Sequence, residues 1–475
     1  MATQDPLSVI IVGAGFGGLA AAIECVNRGM KVTIIEKYAD SNSQGGESAV
    51  RFYGLEEYLI ARQMIGSNTA TDILDIFPNG GRVIKAWNKG KVGEEIHAFG
   101  CNKIYDMEIH KYDGKFISTV PWAINETERD LTYAGHRGKL HSIILDYART
   151  LVPDLRIGVG VIAYLENDKK AGVTLSTGET LWADCVIAAD GPRSIAREQV
   201  LGLFNEDETN TDSKWAVFRT FFKTDEASRA ILKERGLFKE DRDTLRFWMC
   251  DNLTLLAFVW NDGLDVAWAL VHPDDRDSKE GWGNSNIADP DHLRKWMSYF
   301  TGTDAQTLLD ITPERKSIDF KLVYRPPIDK WTSTGGRTIL IGDAAHANLP
   351  TAGQGASQAV EDAITVAYCL QNCERDVRLA LEATQRIRFH RSNAVHKSGQ
   401  ANRDAFFKTP WEDIEADPDK FTRKRWPKLK IWDPLEFAEK QFPKVAKDIK
   451  DNVSGSPEEL AIPVPDGGYW YGPGS

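Results

Sequence analysis

Three glycines, Gly13, Gly15 and Gly18 in the run Gly13-Ala14-Gly15-Phe16-Gly17-Gly18, are the first residues whose spacing could do chemistry. Glycine at the first position permits a tight turn, at the third a close approach to a pyrophosphate, and at the sixth close packing of a helix on a strand. A helix opening there aims its free N–H groups at phosphates. Glu36 follows about twenty residues on, where an acidic side chain accepts hydrogen bonds from ribose hydroxyls and disfavours a 2′-phosphate. The pattern points to a dinucleotide and does not say by itself whether it is FAD or NAD. The plainer alternative is a purely structural glycine turn.

Two more segments end a strand in an acidic turn. Cys185-Val186-Ile187-Ala188-Ala189-Asp190-Gly191-Pro192-Arg193-Ser194 runs from a buried strand into an Asp-Gly turn and then a helix. Leu340-Ile341-Gly342-Asp343-Ala344-Ala345-His346 ends a strand in Gly-Asp, and Gly353-Gln354-Gly355-Ala356 opens a long helix after it. Asp343 can accept from sugar hydroxyls, and the helix start can stabilise negative charge on a reduced flavin ring. For Asp190 and Asp343 the alternative is an Asp that only caps a turn. His346 beside Asp343 suggests an acid–base pair; a packed or backbone-bonded His is the preferred reading.

These turns need a sheet to carry them. Val9-Ile10-Ile11-Val12 is an unbroken apolar run, as in a buried parallel strand. An Ala-rich helix over Leu19–Asn27, capped by Gly29, leads to a second strand, Val32–Ile35. Residues 95–122 and 156–190 read as strands, with a tight Ser176-Thr177-Gly178 turn, and Leu140–Leu151 as a helix. Trp215–Val271 is rich in strand formers, and Asn261-Asp262-Gly263 is a hairpin signal. Thr338–Ile341 is again strand and Ser357–Leu370 helix. A short helix is predicted over Leu55–Met64. Past residue 400 the chain is charged and helical, ending in a Pro/Gly-rich tail with Tyr469, Trp470 and Tyr471. The fold class is α/β: a Rossmann-like dinucleotide domain (1–95, 131–204, 321–400), an interleaved β-sheet substrate domain (96–130, 205–320) and a C-terminal helical segment with its tail (401–475).

The chain has 475 residues and a net charge of -11 without long runs of one sign, so no nucleic-acid surface is expected. No signal sequence precedes the first strand and no apolar run is long enough to span a bilayer, so no stable membrane anchor and a cytoplasmic location are expected. Six cysteines form no C-x-x-C pair. Cys369 and Cys373, one helical turn apart, could be a metal or disulfide pair, but free thiols in a reducing compartment are the preferred reading. Fourteen Trp and twenty Phe fill a core, and a subset could line a flat aromatic pocket.

Taken together, the three segments resemble the class A flavin monooxygenases of the salicylate hydroxylase and para-hydroxybenzoate hydroxylase type. The resemblance covers most of residues 8–400 and is most specific from Gly342-Asp343-Ala344-Ala345-His346 through Gln354-Gly355-Ala356 to Glu361-Asp362-Ala363. His136-Arg137-Gly138-Lys139-Leu140 and Pro78-Asn79-Gly80-Gly81-Arg82 are similar to two further family segments. The resemblance implies an FAD site. Gly13, Gly15 and Gly18 would hold the pyrophosphate, Glu36 with the adjoining Lys37 the adenosine end, and Arg137 the flavin side. Asp190 would lie where FAD and NAD(P)H meet, Asp343 at the ribityl chain or pyrophosphate, and Gly355 and Ala356 at the ring. NAD(P)H would be a co-substrate and O2 the oxidant, acting through a flavin C4a-hydroperoxide on a small aromatic molecule. No metal or covalent nucleophile is required.

Fungal secondary-metabolism members look closest, some of which act on the indole 2,3 bond. Arg219, in Trp215-Ala216-Val217-Phe218-Arg219, matches an active-site Arg of that class and is the candidate catalytic residue; the alternative is an edge-strand Arg facing water. Phe247, Trp248, Phe258 and Trp260 stand where related enzymes often place a Tyr, which favours an apolar aromatic pocket and an indole alkaloid over a phenol. Gln44–Asn68 reads as an insertion that displaces the family's flavin-proximal glycines to around Thr71-Asp72-Ile73; a lid and an accidental extension, such as retained non-coding sequence, are the competing readings. A phenol/salicylate-type hydroxylase, an FAD oxidase or dehydrogenase, and a catalytically silent FAD-binding protein are the competing functions. A halogenase would carry a Trp-x-Trp-x-Ile-Pro signature, which the sequence lacks. The segment past residue 400 either packs on the substrate domain or mediates a homodimer.

Overall fold

The computed structural model describes residues 5–38, 73–123, 125–203, 211–278, 287–325, 328–408, 410–418 and 427–455. The helix expected at Leu55–Met64, the inserted stretch Gln44–Asn68 and the aromatic tail lie outside the described residues.

The apolar run predicted as a buried strand is Ser8–Val12, at the centre of a five-stranded parallel sheet. Across the sheet the order is Thr338–Leu340, Cys185–Ala188, Ser8–Val12, Lys31–Glu36 and Asp154–Ile157. Val12 lies beside Ala188 and Ile35, and Ala188 beside Leu340. The turns after Val12, Ala188 and Leu340 therefore leave one edge together, the carboxyl edge where α/β sheets bind ligands.

Helix Phe16–Asn27 is buried along its first ten residues. Its small residues allow that: a Cβ on Gly17 would lie 3.2 Å from the Cβ of Ala359 in helix Gly355–Asn372. Gly29 (φ +80°) ends the helix, and Met30 N–H reaches back to the Cys25 carbonyl at 3.0 Å.

The second large sheet has seven strands, ordered Ile318–Tyr324, Thr211–Lys223, Asp265–Pro273, Leu253–Trp260, Thr244–Cys250, Asp106–Lys111 and Phe116–Pro121. All neighbours are antiparallel except Thr244–Cys250 with Asp106–Lys111. The predicted hairpin is present, with Asn261, Asp262 and Gly263 all at positive φ. Of residues 95–122, expected to form strands, Asp106–Lys111 and Phe116–Pro121 do, whereas 95–97 close the helix Lys91–His97, in which Val92 and Ile96, four apart, bury one side.

Strand alternation gives this sheet two faces. The rear face, with Phe218, Trp248 and Trp268, packs on Leu293, Met297 and Leu308 from helices Pro290–Met297 and Asp304–Asp310. The front face, with Phe221, Phe247, Phe258 and Trp260, packs toward Ala405 and Phe406 of helix Val377–Lys408. Helices Gly355–Asn372, Val377–Lys408 and Pro434–Lys450 pack on one another. All six cysteines are buried free thiols, and burial pushes Cys369 up to about 12. Among the described residues no helix is long and apolar enough to cross a membrane.

Candidate active site

The three spaced glycines divide the work the sequence assigned them. At Gly13 (φ +99°) a Cβ would sit 2.4 Å from the Ala189 carbonyl oxygen, and at Gly18 it would sit 1.9 Å from that of Gly13. Both contacts are with backbone, so neither position takes a side chain. At Gly15 a Cβ would meet nothing within 4 Å. That open side is the approach an incoming phosphate needs, at the N-terminus of a twelve-residue helix. Glu36 is buried and accepts from Ala14 N–H at 2.7 Å and Tyr38 N–H at 2.9 Å. One acceptor site on each oxygen is thus spent on the loop, and the rest can meet ribose hydroxyls. Lys37 is exposed, with its ammonium 4.9 Å from the Tyr38 ring centroid.

Asp190 follows the residue against which Gly13 is packed. Its Oδ2 accepts from the Tyr164 hydroxyl at 3.0 Å, while its Oδ1 is buried with no hydrogen bond among the described residues. Burial pushes this carboxyl up. A buried acceptor without a donor calls for one from outside the chain. Asp343 also has its carboxyl raised by desolvation, against the pull of His346 and Arg137. Asp343 is exposed to water, so this push is weaker than in a closed core. Arg137 and Asp343 are thus electrostatic neighbours, although they are far apart in sequence. Gly355 starts the eighteen-residue helix Gly355–Asn372, and a Cβ there would meet nothing within 4 Å. Ala356 beside it is half-buried. The open sides at Gly15 and Gly355 and the undonated Asp190 oxygen fit a bound FAD.

Two sets of residues that support this site were given no such role by the sequence reading. His141 is buried and bonds the Ala14 carbonyl through Nε2 at 2.6 Å, tying helix Arg137–Leu151 to the glycine loop. Burial lowers its pKa to about 4, so it is neutral and Nε2 carries the proton. The signal was its place on the buried helix side with Leu140, Ile144 and Leu145.

The second set is a buried charged network. Glu361 accepts from Asn79 Nδ2 at 2.6 Å, from Arg391 Nε at 2.6 Å and from Arg388. Asp362 accepts from Arg388 Nε at 2.7 Å, Gly342 N–H at 2.9 Å and His346 Nε2 at 2.6 Å. Burial alone would push both carboxyls up; arginine charges on Glu361, and His346 with Arg388 on Asp362, outweigh it, leaving Asp362 at about 2. The network clamps the Gly342–Asp343 turn to the helix behind it. His346 is therefore packed, as preferred, but its partner is Asp362, neither the backbone nor Asp343.

Arg219 does not lie on an edge strand, which corrects that alternative. Its strand Thr211–Lys223 runs between Ile318–Tyr324 and Asp265–Pro273, and its guanidinium stacks 4.7 Å from the Phe320 centroid. It shares the front face with Val217 and Phe221. Trp248 belongs to the rear face, so of the four aromatics only Phe247, Phe258 and Trp260 look forward. Phe77, not singled out from sequence, extends this wall to the cofactor turn. A Cβ on Gly353 would lie 3.5 Å from its ring, which is 5.3 Å from Trp122, itself 6.3 Å from Phe258. Between Arg219 and Phe221 on one strand and Leu256 and Phe258 on another stand only Ala269 and Ala267, leaving the face shallow there.

Family models described as FAD binding domain match residues 8–54 and 328–394. The FAD-dependent monooxygenase nanF of Aspergillus nanangensis is 31% identical over 98% of this chain and 94% of its own length. The crystal structure of FqzB is 31% identical with a TM-score of 0.79, covering 97% of this chain and 98% of that one. The structure of CtdE in complex with FAD and a substrate is 27% identical with a TM-score of 0.78, covering 94% and 100%.

Proposed function

Because this chain belongs to the class A FAD-dependent monooxygenases, we propose that it uses NAD(P)H and O2 to hydroxylate or epoxidise an aromatic substrate, with an indole alkaloid of fungal secondary metabolism as the favoured class. The observation that carries the substrate reading is the aromatic wall from Phe77 through Trp122 to Phe258, which joins the Gly353–Ala356 turn to a shallow sheet face holding one forward-facing arginine. Among the described residues that wall has no Tyr, which favours a bulky indole over a phenol.

Bound FAD, reduced by NAD(P)H, supplies O2 activation and transfer of one oxygen atom. The chain supplies the rest. Gly13, Gly15 and Gly18 with their helix N-terminus hold the pyrophosphate, Glu36 and Lys37 the adenosine end, and Asp190, Asp343 and Arg137 the middle of the cofactor. Gly355 and Ala356 face the ring, where the helix start stabilises negative charge. The aromatic wall excludes water and orients the substrate ring. Arg219 donates to an oxygen of the substrate and fixes its register.

The test is the absorption spectrum of the purified protein, followed by NAD(P)H oxidation with a panel of indole alkaloids and phenols. The expected result is a flavin spectrum, turnover accelerated by an indole, and one oxygen atom added to it. Turnover accelerated only by phenols would overturn the substrate class. O2 consumption with no oxygen incorporated would turn the reading to an oxidase.

A further inference from the structure

We propose that Lys430, from the C-terminal segment, is a positioning residue for oxygenation: its ammonium locks together the two rings that join the cofactor turn to the substrate sheet. This role presupposes the aromatic wall and the indole-type substrate of the proposed function. Phe77 precedes helix Pro78–Ala86, and Trp122 follows strand Phe116–Pro121 of the seven-stranded sheet. Lys430 ends the short helix Pro427–Lys430 and is half-buried. Its Nζ lies 3.6 Å from the Phe77 ring centroid and 5.3 Å from that of Trp122. Both distances are within the range of a cation–π contact.

The backbones of both aromatics are tied down, which leaves their rings to be set. Phe77 N–H donates to Ser357 Oγ at 3.0 Å, and Trp122 N–H to the Tyr105 carbonyl at 3.0 Å. The ring centroids are 5.3 Å apart and the planes tilted by 49°. A phenyl ring carries no hydrogen-bonding atom, so its tilt depends on what lies on its face. One cation against both rings favours this arrangement, because each π face is drawn to the same charge. A lysine suits such a half-buried seam, since its stem covers apolar surface while its head stays at the polar edge.

The residues beside Lys430 dock it on the cofactor loops. Leu429 is buried with Ala352, Val395 and Ala401, and Ala352 adjoins Gly353 of the cofactor turn. The Leu429 carbonyl accepts from Arg391 Nη2 at 2.7 Å, and the same arginine holds Glu361. Its guanidinium also stacks 4.6 Å from the centroid of Trp432, just past Lys430. Lys430 is thus pre-organised by the cofactor lobe and reaches a ring of the substrate lobe. With the seam locked, the substrate ring is held at one distance from the Gly353–Ala356 turn and water is kept out.

Lys430→Met keeps the stem and removes the charge. In the full-length flavoprotein it should keep the flavin, raise KM for the accelerating indole about three- to tenfold with a smaller change in kcat, and divert more NAD(P)H electrons to H2O2. Lys430→Arg, which restores the cation, should recover most of both effects. Without any substrate, iodide should quench the bound flavin more steeply in Lys430→Met, although loss of a positive charge by itself disfavours iodide's approach. Wild-type KM, H2O2 yield and quenching in Lys430→Met would overturn the proposal. Failure of the substrate reading shows separately, as a wild type that oxygenates no indole, and the iodide comparison then decides the role of Lys430.

Discussion

His141 donates to the Ala14 carbonyl from full burial, and burial brings its pKa from 6.5 to about 4. The fold therefore favours the neutral ring. This preference stabilises the protein fully above pH 6.5 and is lost as pH falls toward 4, because the unfolded chain then binds a proton that the native one refuses. At about 1.4 kcal/mol per pH unit, the loss at pH 4.5 relative to pH 7.5 is about 2–3 kcal/mol. His396, lowered to about 4 as well, titrates in the same window, so the wild type alone cannot isolate the effect. His141→Gln keeps an amide donor for Ala14 and removes the titration. Urea unfolding of flavin-free protein should show the wild type losing about 2–3 kcal/mol more than His141→Gln across that interval. Equal losses in the two proteins would refute the assignment of a buried neutral ring at the glycine loop.

Gly15→Ala should fold with an unchanged Tm and lose bound flavin, since its Cβ meets no protein atom; Gly18→Ala, driven into the Gly13 carbonyl, should lose soluble yield, and both are read from the flavin-to-protein ratio and a melting curve. Glu361→Gln leaves Arg391 buried without a carboxylate and Arg388 with Asp362 alone, and should cost about 3–5 kcal/mol in denaturant midpoint measurements. Arg219→Ala should keep the flavin spectrum while slowing substrate-stimulated turnover by about a hundredfold, with Arg219→Lys recovering part of it.

The parallel sheet and its three turns were legible because each rests on local signals: apolar strand runs, glycine spacing and Asp at strand ends. The wall and the network were not. Asn79 and Glu361 meet across most of the chain, and nothing local distinguishes Arg388 or Arg391 from the charged residues of a solvated helix. Arg219 and Trp248 show a different limit. Composition marks a strand as aromatic, but which face a side chain takes depends on register, and whether its strand is an edge depends on partners over forty residues away. His141 was within reach, on the buried stripe of a helix whose spacing was recognised, had a polar residue been allowed there.

The two-residue alternation of the seven-stranded sheet also separates two kinds of inheritance. Along Thr211–Lys223, Phe218 and Phe222 belong to the rear core, while Val217, Arg219 and Phe221 look forward. On the proposed function, drift at the forward positions changes which molecule is accepted while the rear layer keeps the scaffold intact. Ala267 and Ala269 are the places where enlargement would narrow the repertoire, and Leu256 and Phe258 the places where trimming would widen it. A lineage built on this sheet can diversify its chemistry at every second residue without renegotiating its fold.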